Sequence, residues 1–171
     1  QSDAGVLQWG QLVVGYNSAN ERVEIRFVRV LNPDGSTVTA SADAVQDLSI
    51  PLEKEAPVYT DYRQKHVTVP GIRPGVILEY DFVTFTHTAL APGQFWMQYD
   101  FSQNGTILDE ELILDIPKDR KITLKTKPGN DPKISDANGR RVYTWTSSHV
   151  DKSDEELKKE AKDKKKKPKE P

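Results

Sequence analysis

Apolar side chains recur at every second position along several stretches of the chain, and this period restricts the folds open to it. In "VEIRFVRV" Val23, Ile25 and Phe27 share a face. In "FWMQYDF" Phe95, Met97, Tyr99 and Phe101 share a face, with Trp96, Gln98 and Asp100 on the other. "EELILDI" repeats the pattern with Leu112, Leu114 and Ile116, and "RRVYTWTS" sets Tyr143 and Trp145 against Val142, Thr144 and Thr146. Successive side chains of an extended chain point to opposite faces of a sheet, so each run predicts a half-buried strand. "VILEYDFVTF" is partly apolar on both faces, and predicts a strand covered on both sides or one that crosses between sheets.

Turn signals separate these runs: "NPDG" at 32–35, Pro70-Gly71, Pro74-Gly75, Pro92-Gly93, Asn104-Gly105, "PGNDP" at 128–132 and Asn138-Gly139. Glycine supplies positive φ and proline presets φ near −65°, so such pairs reverse a chain at little cost. Asn104-Gly105 and Asn138-Gly139 predict tight hairpins. Many strands, frequent turns and no long helical pattern before residue 150 predict an all-β fold, an antiparallel β-sandwich, and argue against parallel βαβ units. A chain of 171 residues has the length of one domain with a tail.

That tail begins near Asp151. Fifteen basic and nineteen acidic residues precede it, whereas nine lysines face seven carboxylates from there on. "SDEELKKEAKDKKKKPKEP" opens with a capping box from Ser153 to Glu156, yet only Leu157 and Ala161 could bury anything. The expected domain therefore spans residues 1–150, and residues 151–171 read as a charged linker or short helix.

Charge and composition exclude several function classes. The body is mildly acidic and the lysines at 164–167 have acidic residues upstream and no aromatics among them, so no nucleic-acid partner is expected. No apolar run reaches the roughly 18 residues of a membrane helix, so no membrane insertion is expected either. The start "QSDAG" has no initiator Met and no signal-peptide core, as in a processed chain or an excerpt of a longer one. The absence of cysteine rules out disulfides, thiolate nucleophiles and zinc-thiolate sites.

The remaining candidates for chemistry each have a plainer reading. His66, His87 and His149 lack metal-ligand spacing, so no metal site is expected. Asp109, Glu110 and Glu111 are consecutive, and on a strand consecutive residues alternate faces, which suits a charged solvent face better than an acid/base pair. Nucleophile-elbow and phosphate-loop motifs are missing, so no catalytic residue and no cofactor are expected. "NGT" at 104–106 matches a glycosylation sequon and equally a hairpin turn. Trp9, Trp96 and Trp145 could form a sugar-stacking platform, although aromatics are also the ordinary filling of a sandwich core. Trp96 and Trp145 both lie opposite core-rich strand faces, so at least one is expected to be exposed.

The order "NPDG", "APVYTDYRQKHVTVPGIRPGVILEYDF", "LAPGQFWMQYDFSQNGTILDEELILDIPKD", "GRRVYTWTSSHV" resembles a bacterial domain of unknown function found N-terminal to transglutaminase-like domains in secreted or periplasmic proteins. The likeness covers roughly residues 10–150; Pro57, Tyr59, Asp61, Arg63, Pro70, Gly71, Gly75, Glu79 and Tyr80 occupy the places of one shared pattern, and Gly93, Phe95 and Trp96 of another. The resemblance implies a β-sandwich-like accessory domain, an extracytoplasmic bacterial location and a downstream papain-fold catalytic domain as partner. That catalytic domain would bring its own Cys-His-Asp triad, which a chain without cysteine cannot supply. Family members carry further strand sequence upstream of the part matching "GVLQWGQLVVGYNS", which implies that this chain starts inside or just before the domain and that its first sheet has an open edge.

The function expected is thus a non-catalytic accessory or interaction domain, with carbohydrate or cell-wall binding as the alternative. The expected interaction surface is Tyr59, Asp61, Arg63 and Trp96, facing the downstream domain, another protein or a glycan. Asp61 and Arg63 are two apart, so an extended strand would put them on one face in reach of a local ion pair.

Overall fold

The computed structural model describes residues 3–49, 61–103 and 105–151. In chain order they form a short helix α1 (Asp3–Trp9) and nine strands: β1 (Gln11–Asn17), β2 (Glu21–Leu31), β3 (Thr37–Thr39), β4 (Val45–Ser49), β5 (Tyr62–Thr68), β6 (Ile77–Thr86), β7 (Ile107–Pro117), β8 (Lys133–Ala137) and β9 (Arg140–His149). Every ladder is antiparallel. The fold is all-β, as the alternation predicts. The strands make three three-stranded sheets, ordered β1-β5-β4, β3-β2-β6 and β7-β9-β8. Two compact units result, residues 1–96 and 97–171. The tail beyond Asp151, with its capping box, lies outside the described residues.

In the first unit the two sheets share one buried cluster: Leu12 of β1, Val28 and Val30 of β2, Val67 of β5 and Val69 just beyond it. Val30 and Val67 are wholly inaccessible to solvent, and burying such a side chain is worth about 1.5–3 kcal/mol each. The face of β2 that reaches this core departs from the simple alternation. Val23 and Ile25 face inward, but the ladder with β6 slips between Ile25 and Phe27, and thereafter Val28 and Val30 are the inward residues. One extra residue in a strand shifts all later side chains to the opposite face, so Phe27, expected in line with Val23 and Ile25, leaves it. Its ring instead lies 4.8 Å beneath the Arg29 guanidinium.

Among the described residues β6 is an edge strand of its sheet, and not the central, doubly covered one expected. Leu78 and Phe82 pack on the core, whereas its outer face is ionic, with Arg29 to Glu79 at 2.6 Å and Arg26 to Asp81 at 3.3 Å across the ladder. The "NPDG" turn joins β2 to β3: Gly35 N donates to Asn32 O, and Asp34 accepts from the Ser36 amide.

The second unit has one sheet. Its buried cluster is Ile116, Tyr143 and Trp145, with Leu112, Leu114, Phe101 and Ile122 packed against it. β8 and β9 are joined by Asn138-Gly139, both at positive φ, 51° and 74°. That pair of angles is the type I′ hairpin the dipeptide predicts. The turn read at 104–105 involves Asn104, which lies outside the described residues. "FWMQYDF", expected as a strand, pairs with nothing among the described residues and runs as an irregular segment. Its alternation still sends Phe101 onto the sheet face, but a strand needs a neighbouring backbone as well as an apolar face.

Candidate functional site

The segment expected to carry the interaction surface divides. Tyr59 lies outside the described residues. Asp61 precedes β5, and its carbonyl accepts from the Ser18 amide at 2.7 Å and the Ser18 hydroxyl at 2.8 Å. Arg63 does not turn to Asp61. The register of β4 with β5 brings Asp47 opposite Lys65 and Ser49 opposite Arg63, and Arg63 Nε donates to Asp47 Oδ1 at 2.9 Å while its Nη1 donates to Ser49 Oγ at 3.0 Å. Lys65 Nζ and the Tyr16 hydroxyl, from β5 and β1, both donate to Asp47 Oδ2, at 3.0 and 2.8 Å.

This cluster continues the core-facing side of its sheet. Leu12, Val67 and Val45 fill the apolar end, and further along the same faces, two positions on in β4 and β5 and four in β1, Asp47, Lys65 and Tyr16 replace them, in the alternation that keeps them on one side of the sheet. Burial disfavours the Asp47 charge, but the hydrogen bonds from Tyr16, Lys65 and Arg63 outweigh it and hold the carboxyl at about 2. Burial and the same contact with Asp47 push the Tyr16 hydroxyl up. Local sequence could not reveal Asp47 as Arg63's partner, since it stands 16 residues upstream on another strand.

The second unit carries an open groove of about 720 Å³. Its floor is the apolar face of the sheet, with Leu112 and Leu114 from β7 and Trp145 from β9. Its walls are two segments outside any ladder, residues 97–103 and 123–127. Glu110 fixes the first wall, accepting from the Tyr99 hydroxyl at 2.7 Å and the Ser102 amide at 3.0 Å; the Tyr99 hydroxyl is raised by that bond. Lys127 and Asp100 meet across the walls at 3.6 Å. Trp145 is 7% exposed and Trp96 65%, so one of the pair is exposed, as expected. Trp96 does not line the groove.

The three histidines have separate neighbours: His66 bonds Gln11 and Gln64, His87 bonds Thr88, and His149 bonds Asp151. No group of His, Asp and Glu suited to a metal ion occurs among the described residues. Among them, too, no helix is long and apolar enough to cross a membrane.

Comparison with known proteins places this architecture. Residues 1–153 match the model of a family described as a Domain of Unknown Function with solved structure, DUF3857. The chain belongs to the DUF3857 family. No curated protein matches it. The DUF3857 chain is similar to a crystal structure from Parabacteroides distasonis named as a "putative protease", with a TM-score of 0.76 and 15% identity, over 90% of this chain and 31% of that one. At that identity the likeness concerns the fold. The DUF3857 chain spans about a third of the length of the protein it matches.

Proposed function

We propose that this DUF3857 chain is a non-catalytic accessory module that serves a peptide-processing enzyme of the transglutaminase-like, papain-fold kind, outside the bacterial cytoplasm. The observation that carries the reading is the lopsided match: nine-tenths of this chain accounts for 31% of a longer protein named as a protease. In that protein the fold is one part of a larger chain.

The electrostatics support the non-catalytic half of the proposal. A general acid or base is tuned toward neutral pH by burial or by like charge. Here the displaced carboxyls move the other way, Asp47 to about 2 under its three donors and Asp136 well below its ordinary value beside Arg141 and Lys118. Each is committed to an ion pair that ties strands together.

The test is to express the parent enzyme's catalytic domain with and without this module, and to measure melting temperature and turnover on a peptide substrate. The expected result is a loss of stability or of turnover when the module is removed. Identical values for both would overturn the proposal. Carbohydrate binding through exposed aromatics is a second reading, favoured by Trp96 at 65% exposure. Titrating tryptophan fluorescence with peptidoglycan fragments tests it, and a flat response across the panel would sink it.

A further inference from the structure

We propose that a pocket in the first unit captures the C-terminal end of a peptide, taking an apolar last side chain among its own apolar groups and the free α-carboxylate onto Arg73.

The pocket, of about 340 Å³, is formed by α1, the turn before β6 and the start of β6. The turn follows from "RPGV": proline presets φ at its second position and Gly75 takes φ 90° at its third, so the Val76 amide reaches back to the Arg73 carbonyl at 3.5 Å. Ile72, Val76 and Leu78 line the pocket and are packed against the valine core of this unit. Trp9 of α1 and Tyr80 of β6 add two exposed aromatic side chains. An apolar side chain seated among these groups takes their surface and its own out of water.

Arg73 supplies the charge. Among the described residues that line the pocket it is the charged one. Arg22, Arg26, Arg29, Arg63, Arg140 and Arg141 each pair with a carboxylate. Arg73 is exposed, makes no ion pair among the described residues, and spends one donor on the Gly71 carbonyl at 3.4 Å. The carboxylates of the surrounding elements are engaged or stand elsewhere. Glu79 and Asp81 of β6 pair with Arg29 and Arg26 on its outer face, and Asp3 of α1 does not line the pocket. In the β2–β3 turn the Ser36 hydroxyl and amide hold the Asp34 carboxyl below its ordinary value, and the Arg73 charge adds a smaller pull without an ion pair. A guanidinium with donors to spare grips a carboxylate through two parallel hydrogen bonds.

The two halves together select the occupant. A peptide that ends in an apolar residue carries an apolar group and a carboxylate on one short link. A long-chain fatty acid joins the same two groups, but about 340 Å³ lies near the lower end of the roughly 300–1,000 Å³ of ligand sites and suits a chain end of one or two residues. Each peptide bond that is hydrolysed leaves a new C-terminal carboxylate, so the inference names a ligand class for the accessory module and rests on that reading.

The test uses the chain alone. Acetyl-Ala-Ala-Phe is titrated into the 171-residue chain by calorimetry, beside its C-terminal amide and acetyl-Ala-Ala-Ser. The free acid is expected to bind at least about tenfold more tightly than either, because one lacks the charge and the other the apolar group. Arg73→Gln is expected to bring acid and amide to equal affinity; the side chain is exposed, and a circular-dichroism melt confirms that the variant folds. The indole N–H resonance of Trp9, assigned with Trp9→Phe, is expected to shift with the acid. Equal binding of acid and amide by the wild type, no binding, or undiminished discrimination in Arg73→Gln overturns the proposal. So does binding of decanoate that the tripeptide fails to displace, which would make the pocket a fatty-acid site. The with-and-without comparison of the parent enzyme reads the accessory role independently, so the two readings fail separately.

Discussion

In residues 1–96 two three-stranded sheets close over a common core, whereas in residues 97–171 a single three-stranded sheet lies against two irregular segments that join no ladder among the described residues. Both units start from the same alternating sequence. In the first, every alternating run finds a partner backbone, and valines at the centre lose all contact with solvent. In the second, residues 97–101 send Phe101 onto the apolar face of the sheet and tie the Tyr99 hydroxyl to Glu110 of β7, yet Met97 and Tyr99 stay exposed. Alternation states which side chains want cover, and pairing states which backbone groups are satisfied.

The contrast can be broken most forcefully in the first unit. Val67→Asp puts an unpaired carboxylate at a position with no solvent exposure, and a loss of about 4 kcal/mol or more is expected, enough to unfold that unit. Hydrogen exchange would then lose protection across β1 and β5, and retained protection would show that the core is not closed as described. Next in size is Trp145→Ala, the largest side chain of the second core, for which about 3 kcal/mol is expected by urea unfolding. A loss below about 1 kcal/mol would mean that the loosely walled face contributes little to stability.

Asp47→Asn removes the acceptor shared by Tyr16, Arg63 and Lys65, and should cost about 1–2 kcal/mol once solvent screening is allowed for. The pH dependence has a definite sign. The folded carboxyl sits at about 2 against an ordinary 3.8, so its contribution is complete above about pH 4 and fades as the pH falls toward 2. A melting-temperature profile should show wild type and Asp47→Asn converging over that window, and a constant gap would refute it. The smallest effect is expected at the β8–β9 turn. Gly139→Val places a branched side chain at φ 74°, at a cost of about 1 kcal/mol in the melt. An unchanged melt would show that the hairpin tolerates another turn type.

Much of this was legible beforehand. Leu112, Leu114 and Ile116 share the face that alternation assigns them, and Asn138-Gly139 makes the hairpin its composition favours. These features are local: they depend on which way successive Cβ atoms point and on which φ values a residue tolerates. Three others were not legible. The bulge beside Arg26 turned Phe27 off the core face, Arg63 found Asp47 in place of its neighbour Asp61, and residues 97–103 became a wall.

The amino-acid sequence by itself determined the all-β antiparallel class, most core faces and the position of the tight turn, because backbone geometry converts residue type and spacing directly into those features. Register, ion partners and the open groove were decided only in the tertiary structure. Each depends on which strand lies alongside, and that choice is made by the packing of residues far apart in the chain.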